Sequence, residues 1–312
     1  MRKKCLLLGG AGFIGKNLAL YLLEQGYELT VYDMSVTHAF MEEQLQQMKY
    51  YERELFKDED LESVIEGQDV VIHLVSSINP ATSMIHPERC YANDVAKTVE
   101  ILEIMRKKNV NKMIFISSGG TVYGNIPKEN YTEDMPLYPR NHYGITKATI
   151  EKIILMYNQI YKMDHVILRI ANPYGRGQMS KKGVGAVTAF AEQILADEEI
   201  SIWGDGSTVR DYIYIEDVVN MIGKFIEYHN DSDNEVYNIG TGRGISLNEL
   251  VALLEEKIGK KAKVVYEHNR EIDAQRNVLN MDKTFGAIGN AIQYPIEKGI
   301  SRYLEILKEE SH

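Results

Sequence analysis

Five apolar runs, separated by amphipathic stretches, constrain the fold of this chain more than any other feature. The runs are CLLLGG, ELTVYD, DVVIHLV, KMIFISS and HVILRI, and most of the gaps contain the helical stretches KNLALYLLEQG, DLESVIEG, VAKTVEILEIMRKKN and KATIEKIILMYNQIYKM. Strands that are apolar along their whole length and alternate with helices are typical of a parallel sheet covered on both faces. The sequence therefore predicts an α/β fold with a doubly wound, parallel Rossmann sheet.

The regular alternation ends near Asn172. We expect a dinucleotide-binding domain over residues 1–171, and a smaller α/β substrate-binding region over residues 172–312, parts of which return to the first domain. Short helices and loops are expected in this second region. A chain of 312 residues is long enough for one or two domains.

The first apolar run follows a basic start, so it has two interpretations. A secretory signal needs a helical apolar core and a small-residue cleavage site, but this run is rich in glycine and no such site follows. The favoured interpretation is a buried strand that enters a phosphate-binding turn, which predicts a cytoplasmic protein. The net charge of −10 without a dense basic run argues against a nucleic-acid partner, and no segment is apolar enough for a membrane span. The two cysteines lack metal-ligand spacing, and no metal site is expected.

Gly9, Gly12 and Gly15 follow the first strand and open a helix. Glycine permits a tight turn and close approach to a pyrophosphate, whose charge the helix amino terminus attracts. Asp33 ends the next strand, where a carboxylate accepts hydrogen bonds from an adenosine ribose. Met34 and Ser35 follow it and no arginine is present there to hold a 2′-phosphate, so the sequence favours NAD over NADP.

Tyr143 and Lys147 stand four residues apart on a predicted helix and therefore share one face. A tyrosine with an ordinary pKa of about 10 needs roughly 4 kcal/mol of stabilisation to act as a base near pH 7. One positive charge at about 5 Å contributes roughly 3 kcal/mol. Lysine together with an oxidised nicotinamide is therefore expected to activate the tyrosine.

With these elements, the chain resembles the extended short-chain dehydrogenase/reductases, in the UDP-glucose 4-epimerase-like branch of the nucleotide-sugar epimerase and dehydratase family. The resemblance runs nearly end to end, through GGAGFIG, VVIHLV, SSGGTVYG, YGITK, LRIANPYG, WGDGSTVRDYIYIEDV, YNIGTG and REIDAQRNVLN. It implies an NAD cofactor, a nucleotide-diphosphate sugar substrate carrying UDP or dTDP, and a role such as polysaccharide biosynthesis.

The resemblance also implies roles for individual residues. Around the cofactor it places Gly9, Gly12, Phe13, Ile14, Gly15, Asp33, Glu54, Leu55, Leu74, Val75, Ser76, Asn93, Ser117, Tyr143 and Lys147. Glu54 departs from the aspartate that is common there, and Asn93 is equally well explained as a helix cap. Around the substrate it places Thr121, Tyr143, Asn172, Arg210, Arg270 and Asp273, with the two arginines on the diphosphate.

One departure concerns the hydroxyl that accompanies the catalytic tyrosine and lysine. Many members of the family carry Ser or Thr where this chain has Gly119. Thr121, Ser118 or Ser117 must then supply the hydroxyl, with Thr121 as the first choice. The family's dehydratases and decarboxylases also carry acidic residues in this segment, and the sequence Gly119, Gly120, Thr121 excludes their chemistry.

Three functions remain open at this point. A 4-epimerase oxidises the sugar transiently to a 4-keto intermediate, and is preferred on family frequency. A 4-ketoreductase of a nucleotide 4-keto-6-deoxy sugar uses the same tyrosine, lysine and nicotinamide. A non-catalytic dinucleotide sensor is disfavoured because both Tyr143 and Lys147 are retained.

A homodimer is the expected assembly. The stretches that begin at Val95 and Lys147 carry more apolar residues than one buried stripe requires, including Leu102 and Ile154. Members of the family pair these two helices with their twofold mates, and self-complementary pairing is a common way to bury such a surface.

Overall fold

The structure is a computed structural model that describes residues 2–126, 128–179, 185–229, 235–268 and 274–310. The strands are β1 (Lys4–Leu8), β2 (Glu28–Asp33), β3 (Lys49–Glu52), β4 (Val70–His73), β5 (Lys112–Ser118), β6 (Val166–Ile170), β7 (Asn172–Tyr174), β8 (Glu199–Trp203), β9 (Val209–Tyr214), β10 (Val236–Ile239), β11 (Gly244–Ser246), β12 (Lys263–Glu267) and β13 (Arg276–Asn277). The α-helices are α1 (Phe13–Glu24), α2 (Val36–Ala39), α3 (Glu42–Leu45), α4 (Leu61–Ile65), α5 (Pro87–Arg89), α6 (Ala96–Lys107), α7 (His142–Tyr161), α8 (Ala186–Ala196), α9 (Ile215–Glu227), α10 (Leu247–Ile258), α11 (Asp282–Ile288) and α12 (Ile296–Glu310).

Seven strands form a parallel sheet in the order β10-β6-β5-β4-β1-β2-β3. The chain winds outward from β1 in one direction through β2 and β3, then returns to β4 and continues in the other. β1 pairs in parallel with both β2 and β4, so the winding reverses at β1 and β4. In such sheets ligands bind beyond the carboxyl ends of the strands at this reversal. The doubly wound Rossmann fold expected from the sequence is confirmed.

Two strands of this sheet do not correspond to any of the five predicted runs. β3 reads KYYE, and most of its residues are exposed. It lies at the sheet edge, where a strand needs no continuous apolar run because solvent covers part of it. β10 lies at the opposite edge and comes from a segment far along the chain.

Contacts divide the chain into two compact units. Unit 1 contains Met1–Val122, Pro139–Arg169 and Val219–Tyr237, and unit 2 contains Tyr123–Tyr138, Ile170–Val218 and Asn238–His312. The expected functional division at residues 171 and 172 stays a prediction. The units differ from that simple division in two segments, residues 123–138 and 219–237.

The core of unit 1 lies between the large sheet and the helices α4, α6 and α7. Its apolar side chains include Ile101, Leu102 and Met105 of α6, and Ile150 and Ile154 of α7, all nearly or fully buried. The helical spacing of these residues, three or four apart, gives each helix one stripe that faces the core.

Unit 2 is more regular than the short helices and loops expected from its sequence. β9 forms the centre of a four-stranded sheet with β7, β11 and β13, and β8 pairs in parallel with β12. The buried carboxylate of Asp211 accepts hydrogen bonds from the backbone N–H groups of Thr241, Gly242 and Leu279, and from the Thr241 hydroxyl. One side chain thus connects three separate segments of this unit.

The predicted homodimer requires different contact residues from those that the sequence pattern emphasised. Leu102 and Ile154 are buried within unit 1 itself, so they are not available to a partner. Ile145, Met156 and Ile160 of α7 are exposed, with Ile160 at 64%. At about 100° per residue these three lie on the same side of the helix.

We expect light scattering to give about twice the 35.6 kDa chain mass, and Ile160→Lys to shift the protein towards monomer. A monomeric wild-type protein at micromolar concentration would contradict the prediction.

Candidate active site

A glycine turn connects β1 to α1 at the point where the winding of the sheet reverses. Gly9 has a φ of +89°, a left-handed conformation that favours glycine. A Cβ on Gly15 would lie 2.3 Å from the carbonyl oxygen of Gly9, so no larger residue fits there. The turn thus brings backbone close to backbone and leaves the amino terminus of α1 open to an anion.

A cavity of about 650 Å³ in unit 1 adjoins this turn. Nine of the predicted cofactor residues line it, namely Gly9, Gly12, Asp33, Glu54, Leu55, Leu74, Val75, Ser76 and Asn93. Its size is typical of a ligand site, and its residues come from the ends of β1, β2, β3 and β4. A dinucleotide fits this set, because the turn suits a pyrophosphate and the carboxylate of Asp33 suits a ribose.

The remaining predicted cofactor residues occupy other positions in unit 1. Phe13, Ile14 and Gly15 form the first turn of α1, and Ser117 lies on β5.

Three of the residues that line the cavity have further contacts or a defined place in the fold. Glu54 forms an ion pair with Lys57 at 2.6 Å, and Leu55 belongs to the hydrophobic core. Asn93 does not cap a helix, because it lies inside a π-helical turn, Cys90–Val95, that precedes α6.

Sequence reasoning missed three basic residues that line the same cavity, Arg53, Lys57 and Arg89. Arg53 follows β3, an edge strand that had no apolar signal. Its guanidinium lies 3.5 Å from Asp58 and 5.2 Å from the ring centroid of Tyr51. Arg53 and Lys57 are paired with Asp58 and Glu54, so these two cations balance acidic groups at the edge of the cavity.

Asp33 also accepts a hydrogen bond from the glycine turn, so its charge and its hydrogen bond can be tested separately. Its Oδ2 accepts a hydrogen bond from the backbone N–H of Ala11 at 3.0 Å. We expect Asp33→Ala to weaken NAD binding about tenfold, since both the ribose acceptor and this bond disappear. Asp33→Asn is expected to retain the bond while removing the charge that repels a 2′-phosphate, so NADP binding rises with little loss for NAD. Calorimetric titration of both cofactors measures this, and unchanged affinities in both variants would remove Asp33 from the site.

Tyr143 and Lys147, the predicted catalytic pair, both lie on α7. Asn141 caps this helix, since its side chain accepts a hydrogen bond from the Gly144 N–H at 2.8 Å. A Cβ on Gly144 would lie 2.9 Å from the backbone oxygen of Thr121, so the start of α7 packs closely against the loop after β5. Tyr143 is therefore held beside Thr121.

Lys147 is 3% exposed and lies in an apolar environment. Its Nζ donates a hydrogen bond to the backbone oxygen of Ile116 at 2.9 Å and lies 4.6 Å from the ring centroid of Phe115. Burial lowers the pKa of Lys147 to about 8, although the charges of Asp94 and Glu151 oppose that shift. Its Nζ is 5.7 Å from the ring centroid of Tyr143.

The activation of Tyr143 by Lys147 together with an oxidised nicotinamide stays a prediction. Burial, and then the charge of Asp94, raise the pKa of Tyr143 above its ordinary value. The tyrosine is therefore protonated at neutral pH until a further positive charge enters the site.

The three candidate hydroxyls have different environments. Ser117 donates to Glu151 at 2.5 Å in a buried contact, so its hydroxyl is already engaged. The backbone oxygen of Ser118 accepts from the N–H groups of Thr121 and Val122 at the end of β5. The Oγ1 of Thr121 is buried and has no hydrogen-bond partner within the part of the chain that the structure describes. A buried hydroxyl without a partner is costly unless a ligand completes it.

Unit 2 contains a second cavity of about 680 Å³. Two of the predicted substrate residues, Asn172 and Arg210, line it together with Phe190, Trp203 and Leu247. Asn172 donates to the Asp211 backbone oxygen at 2.9 Å, and Arg210 donates to the Ala274 backbone oxygen at 2.7 Å. These bonds fix both polar side chains on the wall of a largely apolar pocket. Trp203 was not singled out from the sequence, although it opens the WGDGST motif.

Two further substrate residues expected from the sequence, Arg270 and Asp273, lie outside the described residues. No helix in the described ranges is long and apolar enough to cross a membrane.

Comparison with known proteins finds relatives that match nearly the whole chain. Residues 5–240 match the NAD dependent epimerase/dehydratase family. A crystal structure of UDP-glucose 4-epimerase from Thermotoga maritima, with UDP-glucose, is 32% identical with a TM-score of 0.90, covering 99% of this chain and 100% of that chain. UDP-glucose 4-epimerase of Mycolicibacterium smegmatis is 29% identical, over 99% of both chains. The dTDP-4-dehydro-6-deoxyglucose reductase of Escherichia coli is 28% identical, over 97% of both. The chain thus belongs to the NAD-dependent epimerase/dehydratase family of extended short-chain dehydrogenases/reductases, and its cofactor is NAD.

Proposed function

We propose that the protein is a 4-epimerase of a UDP-sugar that works through a transient 4-keto intermediate. The observation that carries the proposal is the Tyr143–Lys147 pair on α7, with Lys147 buried, in the unit that also holds the dinucleotide cavity. Likeness over the full chain to the Thermotoga maritima epimerase supports the UDP-sugar assignment. The cavity with Asn172 and Arg210 is our candidate site for the nucleotide part of the substrate.

NAD bound in the unit 1 cavity supplies the acceptor and donor of hydride. The chain's own residues handle the proton. Tyr143 takes the proton of the 4-hydroxyl as the ketone forms and returns it when the ketone is reduced from the other face. Because burial disfavours the phenolate, the ammonium of Lys147 and a cationic ligand are both needed to stabilise it.

Thr121 is the residue that we assign to the reacting oxygen. Its Oγ1 is the candidate hydroxyl that is buried without a partner, whereas Ser117 donates to Glu151. The close packing of Gly144 on the Thr121 backbone keeps this hydroxyl near the catalytic tyrosine. Oriented donors of this kind stabilise charge that develops on an oxygen in the transition state.

Thr121→Val tests this assignment, because valine has nearly the same shape and lacks the hydroxyl. We expect kcat to fall about 10²–10³-fold, the usual cost of one donor at a developing oxyanion. Thr121→Ser is the matched control and should retain most of the rate. Ser118→Ala should have a small effect, and a larger loss there than in Thr121→Val would transfer the role to Ser118.

A 4-ketoreductase is the second candidate, favoured by the likeness to the Escherichia coli reductase over nearly the whole chain. A panel of UDP- and dTDP-sugars, incubated with and without NADH, separates the two. Interconversion of a UDP-sugar and its 4-epimer with no net consumption of NADH supports the epimerase. Stoichiometric loss of NADH with a 4-keto-6-deoxy sugar, and no epimer from any UDP-sugar, would overturn it.

A further inference from the structure

Asp94 lies in the π-helical turn before α6, next to Asn93, which lines the dinucleotide cavity. Its side chain is 6% exposed. Oδ2 accepts a hydrogen bond from the Ser76 hydroxyl at 2.6 Å, and Oδ1 accepts from the Ser77 backbone N–H at 2.8 Å. Both donors line the dinucleotide cavity. Both side-chain oxygens of Asp94 are therefore engaged by the segment that follows β4, where the Ser76 hydroxyl also lies 2.9 Å from the Ile78 backbone oxygen.

No described cation forms an ion pair with this carboxylate, in contrast to the other buried acid near Lys147. Glu151 pairs with Arg169 at 2.7 Å, which largely cancels its charge. The charge of Asp94 acts at longer range: it adds to the rise in the pKa of Tyr143 that burial causes, and it opposes the fall in the pKa of Lys147 that burial causes. His73 bonds to the Thr98 hydroxyl, which donates to the backbone oxygen of Asp94; burial lowers the pKa of His73 to about 3, so it carries no charge.

We propose that Asp94 is a positioning residue that holds the Ser76–Ser77 loop against the dinucleotide, and that its fixed negative charge favours the oxidised cofactor over the reduced one. The oxidised nicotinamide ring is positively charged and the reduced ring is neutral, so a buried negative charge stabilises only the former. The inference rests on the proposed function, because an epimerase begins each cycle with the oxidised cofactor whereas a ketoreductase begins with the reduced one.

Asp94→Asn tests the charge while preserving the shape. The amide retains an acceptor oxygen for one of the two hydrogen bonds. NAD and NADH are titrated separately into the cofactor-free, full-length protein by calorimetry, with no sugar present. We expect the ratio of Kd for NAD to Kd for NADH to rise about tenfold, which corresponds to about one pKa unit of charge interaction.

Asp58→Asn is the matched control. Asp58 is another largely buried carboxylate beside the cavity, where it accepts a hydrogen bond from the Tyr32 hydroxyl at 2.6 Å. It forms an ion pair with Arg53, so its charge is partly cancelled. This variant should change both Kd values by the same factor.

Ser76→Ala separates charge from loop position, and keeps the proposal testable if Asp94→Asn does not fold. It removes one donor and leaves the carboxylate charged, so both cofactors should bind more weakly with an unchanged ratio. A ratio that shifts in Ser76→Ala, or stays within twofold of wild type in Asp94→Asn, would overturn the proposal. These binding results are independent of turnover, so a failed sugar panel with a shifted ratio would contradict the proposed function alone.

Discussion

Replacing Tyr143 by phenylalanine is expected to abolish turnover while NAD remains bound. The ring still packs at the start of α7, and only the hydroxyl that transfers the proton is lost. Loss of an essential general acid–base typically lowers the rate 10²–10⁴-fold, and we expect about 10³-fold or more here, because the described chain shows no second candidate beside it. Initial rates on the active UDP-sugar, together with calorimetric titration of NAD, measure both halves of the prediction.

Tyr157→Phe provides the matched control on the same helix. This side chain is 5% exposed, and its hydroxyl donates to Glu103 at 2.7 Å, more than two helical turns from Lys147 along α7. This variant should retain nearly the wild-type rate. If Tyr143→Phe retained a tenth of the activity, Tyr143 would not be the proton-transferring group, and the proposed mechanism would be wrong.

The second large effect is expected on stability, from the buried network beneath the catalytic helix. Arg169 and Glu151 are 3% and 1% exposed, and Ser117 donates to the same carboxylate. Arg169 contacts Glu151 through Nε at 3.1 Å and through a terminal nitrogen at 2.7 Å. The network joins β6 to β5, which carries Ser117 and Ser118, and to α7, which carries the predicted pair Tyr143 and Lys147.

Arg169→Met should lower the free energy of unfolding by about 3–5 kcal/mol, because it leaves the carboxylate of Glu151 buried without its cation. The double variant Glu151→Met with Arg169→Met removes both charges and should recover most of that loss, since a well-packed apolar pair is often as stable as a buried ion pair. Urea denaturation followed by circular dichroism measures both. A loss below about 1 kcal/mol in Arg169→Met would show that the pair is not needed to compensate the buried charge.

The residues that sequence reasoning placed well are those whose partners are close in the chain. Gly9, Gly12 and Gly15 belong to one strand–turn–helix segment, so their spacing alone determines the turn. Tyr143 and Lys147 are one helical turn apart, and the geometry of any α-helix puts them on one face. The order of apolar runs and helices was likewise sufficient for the doubly wound sheet.

Sequence reasoning failed where a side chain has two possible environments with the same local pattern. Leu102 and Ile154 fit an apolar stripe, which is equally compatible with a core and with a partner surface, and the structure buries them in the core. At the cofactor cavity the sequence pointed to Asn93, which lines the cavity, but it did not single out its neighbour Asp94, which forms the buried hydrogen bonds to Ser76 and Ser77. The π-helical turn causes this difference, because it inserts a residue and changes which side chain faces inward.

The sequence by itself determined the fold class, the glycine turn, the carboxylate at the end of β2 and the pairing of Tyr143 with Lys147. Each of these depends on periodicity or spacing over a few residues, which the chain specifies without reference to distant segments. Only the tertiary structure decided that Ser117 is engaged by Glu151 while Thr121 keeps a buried hydroxyl without a partner. It also decided that burial raises the pKa of the Tyr143 phenol. Hydrogen-bond saturation and desolvation depend on which distant segments pack around a group, so no local pattern can specify them.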